Sequence, residues 1–393
     1  MTTAQRLFAL ALMAHTLALP AMAAPYIPAD GSKVVERLPA RTDPAQRDLA
    51  RMRAALNKNP SDLALATTLA RRYMEMARGD GDPRYLGYAQ AALAPWWKLP
   101  QPPADVLVLR ATLRQSTHQF GAALADLDAV LRRDAENPQA WLIRATVQSI
   151  TGDFAAARAS CMRLHSRAPA LVVQTCLSSV GSVNGAARTS YAELQQALER
   201  HPDADQGVRI WVITLLAEMA ARLGKNAAAE DYFRQALALD DADSYLLAAY
   251  ADFLLDHQRA PEAAGLLKDK TRADALLLRY ALALKATGSP EAARHTGVLR
   301  SRFEAAMLRT DTVHQREQAR FELGLRNDPA AAVRLAKLNW AVQKEPADLR
   351  ILAEAAAASG DAEATRLVRD WLRASNIEDR TIQAALGKLK GAA

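Results

Sequence analysis

Two stretches of this chain repeat one another at a fixed interval. Leu107-Val108-Leu109-Arg110-Ala111-Thr112, followed by Phe120 and Ala123, returns thirty-four residues later as Trp141-Leu142-Ile143-Arg144-Ala145-Thr146, followed by Phe154 and Ala157. A period of that length describes one helix-turn-helix unit. A single helix pair cannot bury its apolar face alone, so such units stack into an array in which each touches only its neighbours. Composition agrees, since half of the 393 residues are hydrophobic and only 6% are aromatic. The chain is rich in Ala, the best intrinsic helix former and one small enough to let helices approach closely. The expectation is continuous helix pairs from about Arg47 to about Leu372, with no sheet.

The N-terminus reads as a leader. Arg6 precedes an apolar run from Leu7 to Leu19, then Pro20 and the small-residue sequence Ala21-Met22-Ala23 before Ala24. That is the pattern of a cleaved secretory signal peptide over residues 1–23, and the run is short for a membrane span. The mature chain is expected to be exported, periplasmic or secreted, and not integral to a membrane. Cleavage removes Arg6 alone and takes the net charge from +7 to +6. The basic residues are scattered among acids rather than gathered in stripes with a reading motif, which argues against nucleic acid as a partner.

Five segments follow from the punctuation: the signal peptide at 1–23, an extended, Pro-containing lead-in at 24–46, an irregular helical pair with an aromatic-rich insert at 47–103, the array at 104–375, and a C-terminal helix or tail at 376–393. Arg78 to Tyr85 reads as a turn longer than those elsewhere, and Pro95 to Pro103 as a rigid connector. Trp141, Ala145, Gly152-Asp153-Phe154, Ala157 and Pro169 form the clearest unit, with Ala111, Phe120 and Ala123 marking the one before it. Gly224, Ala229, Tyr232, Phe233, Ala236 and Leu237 mark another at 208–240, and weaker turns follow at Gly288, Asn327 and Gly360. This pattern resembles the tetratricopeptide repeat family over roughly residues 47 to 375, departing from it at Arg110 and Arg144, which stand where the family has apolar residues. The resemblance implies an all-α, right-handed solenoid whose first helices line a concave groove for a peptide or protein, with no chemistry of its own.

Motifs for chemistry are sparse. The six His after residue 23 (118, 165, 201, 257, 295, 314) form no HxxxH or HExxH pair, and no metal or other cofactor is expected. No phosphate loop occurs, and Ser182 is misplaced for a nucleophile elbow. General acid-base work needs carboxylates gathered in one desolvated cleft, which an open array seldom provides, so the chain reads as non-catalytic.

Binding candidates fall in two groups. Arg72, Tyr73, Asp82, Arg84, Tyr85, Trp96 and Trp97 concentrate aromatic and charged side chains within 26 residues. They read either as a pocket or as a cap on the exposed end of the array. Arg110 and Arg144, at equivalent places in successive units, read either as a basic ladder for a bound peptide's carboxylates or as internal partners of Asp126 and Asp128. The only two cysteines, Cys161 and Cys176, fall on helix stripes that face each other across a unit boundary. They are candidates for a disulfide, the alternative being two buried thiols. The sequence reads as a non-catalytic exported scaffold that binds a protein or peptide partner in the cell envelope. The alternative is a periplasmic receptor for a small ligand or glycan at residues 73–97.

Overall fold

The computed structural model describes residue 30 and residues 44–309 and 311–390, so the leader at 1–23 and most of the lead-in at 24–46 lie outside the described residues. Up to Ala50, apart from Asp30, only the start of the first helix, α1 (Pro44–Lys58), is described, and everything below concerns the compact unit Arg51–Ala393.

Among the described residues there is no strand. The helices are α2 (Leu63–Asp80), α3 (Arg84–Ala92), the short α4 (Ala94–Trp97), α5 (Ala104–Ser116), α6 (Phe120–Arg133), α7 (Pro138–Ile150) and α8 (Phe154–Met162). Next come α9 (Ala170–Ser182), α10 (Ala187–Arg200), α11 (Gln206–Arg222), α12 (Asn226–Leu239), α13 (Ser244–Asp256), α14 (Ala260–Leu267), α15 (Asp274–Ala286) and α16 (Glu291–Leu308). The last are α17 (Gln315–Phe321), extended by a π turn (Glu322–Arg326), α18 (Pro329–Val342), α19 (Pro346–Ser359), α20 (Ala362–Ser375) and α21 (Arg380–Lys390). From α2 to α20, leaving α4 aside, these form nine antiparallel pairs in a tetratricopeptide-like solenoid. No described helix is long and apolar enough to cross a membrane.

Local chemistry explains where the helices begin. The side chains of Asp62, Asn137, Asp153, Asp243, Asp328 and Asp361 each accept from a backbone N–H in the first turn of the helix they precede, satisfying donors that the helix itself cannot. Small residues set the packing distance: Ala111, Ala145, Ala157, Ala217, Ala251 and Ala281 are all essentially inaccessible. Leu and aromatic side chains fill the space between pairs, as where Phe233, Tyr250 and Phe253 stack between α12 and α13.

Two expectations about the first quarter need correction. The turn near residue 80 is not long, because α2 continues through Gly79 and Asp80 and ends at Gly81, whose φ of 61° is the left-handed conformation that stops a helix. Only Gly81 to Pro83 separate α2 from α3, a turn as short as those within other pairs. The connector is partly helical, since Pro95 sits in the first turn of α4, where its missing N–H costs no hydrogen bond.

The solenoid also closes on itself, which local periodicity does not reveal. At one seam Arg78 pairs with Asp243 at 2.8 Å, Ser244 donates to the Gly79 carbonyl at 2.7 Å, and Arg272 pairs with Asp82 at 2.9 Å. At another, the Lys344 N–H donates to the Ile150 carbonyl at 2.7 Å, Arg350 binds Asp256, and Arg188 binds Glu378 at 3.1 Å. The intra-pair turns at Gly152 and Gly224 lie directly against Trp371 and Arg380, so α20 and α21 cross the turn edges of earlier pairs.

Candidate functional site: a charged central cavity

The first helices of successive pairs and several connecting turns line a half-open cavity of about 830 Å³. Its lining is mixed. Leu142, Ile150, Val180, Val183, Trp211 and Leu215, from α7, α9 and α11 and the turn after α9, give it an apolar wall; Glu218, on α11 as well, with Tyr245, Asp252, Arg279, Arg316 and Glu345, gives it a charged one.

The charged wall is a set of ion pairs between helices distant in sequence. Asp252 on α13 lies between Arg279 of α15 at 2.7 Å and Arg320 of α17 at 2.6 Å. Burial opposes its charge, but the guanidiniums around it win and hold the carboxyl at a pKa of about 2. Arg316 on α17 binds Glu345 at 2.9 Å and the fully buried Asp348 at 3.3 Å. Burial works against the Arg316 charge, yet Glu317, Asp348 and Glu345 outweigh it and keep its pKa well above the usual value. Asp348 is held further by Asn339 at 2.8 Å, by Gln343 at 3.1 Å and by the Glu345 N–H at 2.9 Å.

Two carboxyls in this wall are pushed toward protonation. Burial raises Glu218 by more than Arg222 and the Tyr245 hydroxyl lower it, and the hydroxyl donates to Glu218 at 2.8 Å. Burial also raises Glu345, against the pull of Arg316. Tyr245 has much of its ring surface accessible, but that surface lines the cavity. The Glu218 charge, together with burial, pushes the Tyr245 phenol well above its normal pKa. His118, at a left-handed turn position with φ of 58°, lines the cavity too; burial and the Arg316 charge lower its pKa and favour the neutral ring. Among the described residues no cluster of three His, Cys, Asp or Glu could hold a metal ion.

The residues singled out from sequence are dispersed. Tyr73 and Tyr85 are buried between α2 and α3 with ring centroids 6.2 Å apart, and Tyr88 covers them. Arg72 is exposed and pairs with Glu75 on its own helix. Trp96 and Trp97 are half-buried and do not line the cavity; the Trp97 carbonyl accepts from Arg110, and the Arg114 guanidinium stands 6.0 Å from the Trp97 ring. The stretch 73–97 is therefore not gathered into one pocket, because Tyr73 and Tyr85, on two helices that pack together, turn their rings into the interface between them. Only Asp82 and Arg84 from that group reach the cavity. Arg110 makes a two-pronged, buried bond to Asp126, at 2.9 and 2.7 Å. Arg144 binds Asp128 at 3.1 Å and the Ser160 hydroxyl at 2.9 Å. Both guanidiniums are thus occupied, Arg110 by an acid of its own pair's second helix and Arg144 by an acid of the preceding pair's second helix, so neither is a free rung of a ladder. Cys161 and Cys176 are joined in a disulfide, with Cα atoms 5.6 Å apart, and Cys176 lines the cavity.

Glu218, Asp252, Arg279, Arg316 and Glu345 were not anticipated. One signal was available: Glu218, Asp252 and Arg279 each interrupt a strongly apolar helix (LLAEMAA, AYADFLL, LLLRYALAL), where a lone charge needs a partner.

No family model matches the chain, and no curated protein matches it. Solved helical-repeat structures do match. The chain is similar to a tetratricopeptide repeat protein from Parabacteroides merdae, at 16% identity over 61% of this chain and 92% of that one, with a TM-score of 0.45. It is similar to a human IFIT1 dimer with PPP-AAAA, at 14% identity over 89% and 87%, TM-score 0.48. It is also similar to PilW, a widely conserved type IV pilus biogenesis factor, at 19% identity over 51% and 94%, TM-score 0.40. At this distance the likenesses carry no residue, ligand or partner over to this chain.

Proposed function

We propose that this chain is an exported, non-catalytic binding protein that holds a short polypeptide segment in the central cavity of its solenoid, within the cell envelope. The cavity carries this reading: about 830 Å³ lies in the range of roughly 300–1,000 Å³ typical of sites that enclose a small ligand or short segment rather than a folded domain. Its lining of apolar and charged side chains suits a segment that carries both kinds of group. Most of the charged side chains are paired with one another, so the walls offer recognition rather than bond-making. Export is supported by the leader pattern at 1–23, and the Cys161–Cys176 disulfide suits an oxidising compartment.

A small ligand in the same cavity is the second reading, favoured by the cavity's volume, and it moves the receptor site away from residues 73–97. Peptide-display selection against the purified chain, with native mass spectrometry for co-purifying small molecules, separates the two. Selected peptides should lose binding to Ala249→Trp, which fills the cavity wall, while its melting temperature stays close to the wild type. Peptides that bind the filled variant equally well would remove the cavity from the proposal, and a retained small molecule with no peptide selected would favour the second reading.

A further inference from the structure

The cations that line the cavity are unequally satisfied. Arg84 and Arg272 share Asp82, Arg279 has Asp252, Arg302 has Asp274 at 2.6 Å, and Arg316 has Glu345. Arg222 and Lys344 differ, having no carboxylate within ion-pair distance among the described residues. Arg222 makes a single hydrogen bond, from Nη2 to the Ser182 hydroxyl at 3.2 Å. The Lys344 ammonium makes none and rests 4.7 Å from the centroid of the Trp340 ring.

Both cations line the cavity. Trp340 meets Trp371 edge-on at 5.2 Å, and the Trp371 ring and the Lys344 stem both lie against Gly152. Trp371 is also packed in the cluster that includes Val183, the neighbour of Ser182, to which Arg222 is anchored. The Lys344 N–H bond to the Ile150 carbonyl fixes the residue at that wall. The acids nearby are engaged elsewhere: Glu218, one turn before Arg222 and attracted by it, accepts from Tyr245 and is pushed toward protonation by burial; Asp348, whose charge reaches Lys344, is held by Arg316, Asn339 and Gln343; and Glu345 is taken by Arg316.

We infer that Arg222 and Lys344 form an oxyanion subsite inside the cavity, one that takes a carboxylate or a phosphate carried by the bound ligand. The Arg222 fork supplies paired donors matched to either oxyanion, and Lys344 supplies a point charge with three donors. An unpaired ammonium held partly out of water is unfavourable in the empty protein, and burial lowers the Lys344 pKa; an incoming anion relieves that cost. The adjoining apolar wall, with Trp211 and Val183, would take the uncharged part of the same ligand.

The inference rests on the cavity being the binding site, and inorganic probes test it independently of any peptide. The full chain is titrated with phosphate, acetate and chloride at constant ionic strength, following tryptophan fluorescence and melting temperature. Saturable responses to phosphate or acetate and not to chloride are expected, with Arg222→Gln and Lys344→Met each weakening them about ten-fold or more. Arg234→Gln, which removes a cation outside the cavity that is paired with Glu230, should titrate like the wild type. Phosphate binding far more tightly than acetate assigns a phosphoryl group, and comparable binding assigns a carboxylate. Without anion, Lys344→Met should melt at or above the wild-type temperature, because it deletes an unpaired charge. A non-saturable response, a response untouched by both substitutions, or a lowered melting temperature for Lys344→Met overturns the subsite. A cavity that captures peptides but ignores anions sinks this inference alone, and an anion response without peptide capture sinks the polypeptide reading alone.

Discussion

Removing the Asp126 carboxylate should unfold the front of the solenoid. Asp126 accepts from Arg110 Nε at 2.9 Å and Nη2 at 2.7 Å, and from Arg114 Nη1 at 2.7 Å. The Arg110 side chain is 7% exposed and that of Asp126 is 6% exposed, so water cannot replace the lost partner. Arg114 is 22% exposed and can turn toward solvent, so its share is at most about 1 kcal/mol. Stranding a buried guanidinium typically costs about 3–5 kcal/mol. Arg110 keeps its bond to the Trp97 carbonyl, which places Asp126→Ala near the lower end, at about 3 kcal/mol. The double variant Arg110→Met/Asp126→Leu replaces the pair with apolar groups of similar size and should be less destabilised than Asp126→Ala. Urea unfolding followed by far-ultraviolet circular dichroism gives the free energies, and hydrogen exchange across residues 104–133 locates the opening. A cost below about 1 kcal/mol for Asp126→Ala, or a double variant equal to the sum of the singles, would refute the buried-pair reasoning.

Three further outcomes are expected. Gly152→Ala must adopt a φ of 86° and place a Cβ 2.5 Å from the Trp371 ring, at a combined cost of about 2–4 kcal/mol; unchanged melting and tryptophan fluorescence would show that α20 does not rest on this turn. Ala157→Phe enters a site with no accessible surface and should cost about 1–3 kcal/mol or more, so a melting temperature within a degree or two of the wild type would contradict the close helix crossing. Folding raises the Glu218 pKa through burial, so the native state holds its proton longer than the unfolded chain, and stability falls as pH rises from the ordinary carboxyl range toward the raised value. Glu218→Gln should therefore melt higher than the wild type at about pH 8, with the gain shrinking as the solution is acidified; a pH-independent difference defeats the assignment. Asp252, held at about 2, acts in the opposite sense, its contribution being lost only as pH falls toward that value.

Much of the array could be read from local pattern. Ala145 and Ala157 lie where helices cross, Gly152-Asp153 turns and caps the chain, and Cys161 and Cys176 meet across a unit boundary, all within one repeat of each other. Arg110 and Arg144 were open between two roles until their partners sixteen residues away were placed. The site was much less visible. Arg272 reaches Asp82 across 190 residues, and Arg350 reaches Asp256 across 94. A repeat period reports what each pair does with its neighbour and nothing about the angle through which many pairs turn.

The chain by itself therefore determined the helix pairs, their caps, their small-residue crossings and the order in which they stack, because these depend on residues within about one repeat of each other. Only the tertiary structure decided that the array closes around a cavity, that Glu218, Asp252, Arg279, Arg316 and Glu345 line it together, and that Arg222 and Lys344 have no ion-pair partner among the described residues. Those facts depend on small rotations summed over many units. Such rotations bring together charges that no local spacing relates, and they set how far water, which would otherwise screen those charges, is excluded.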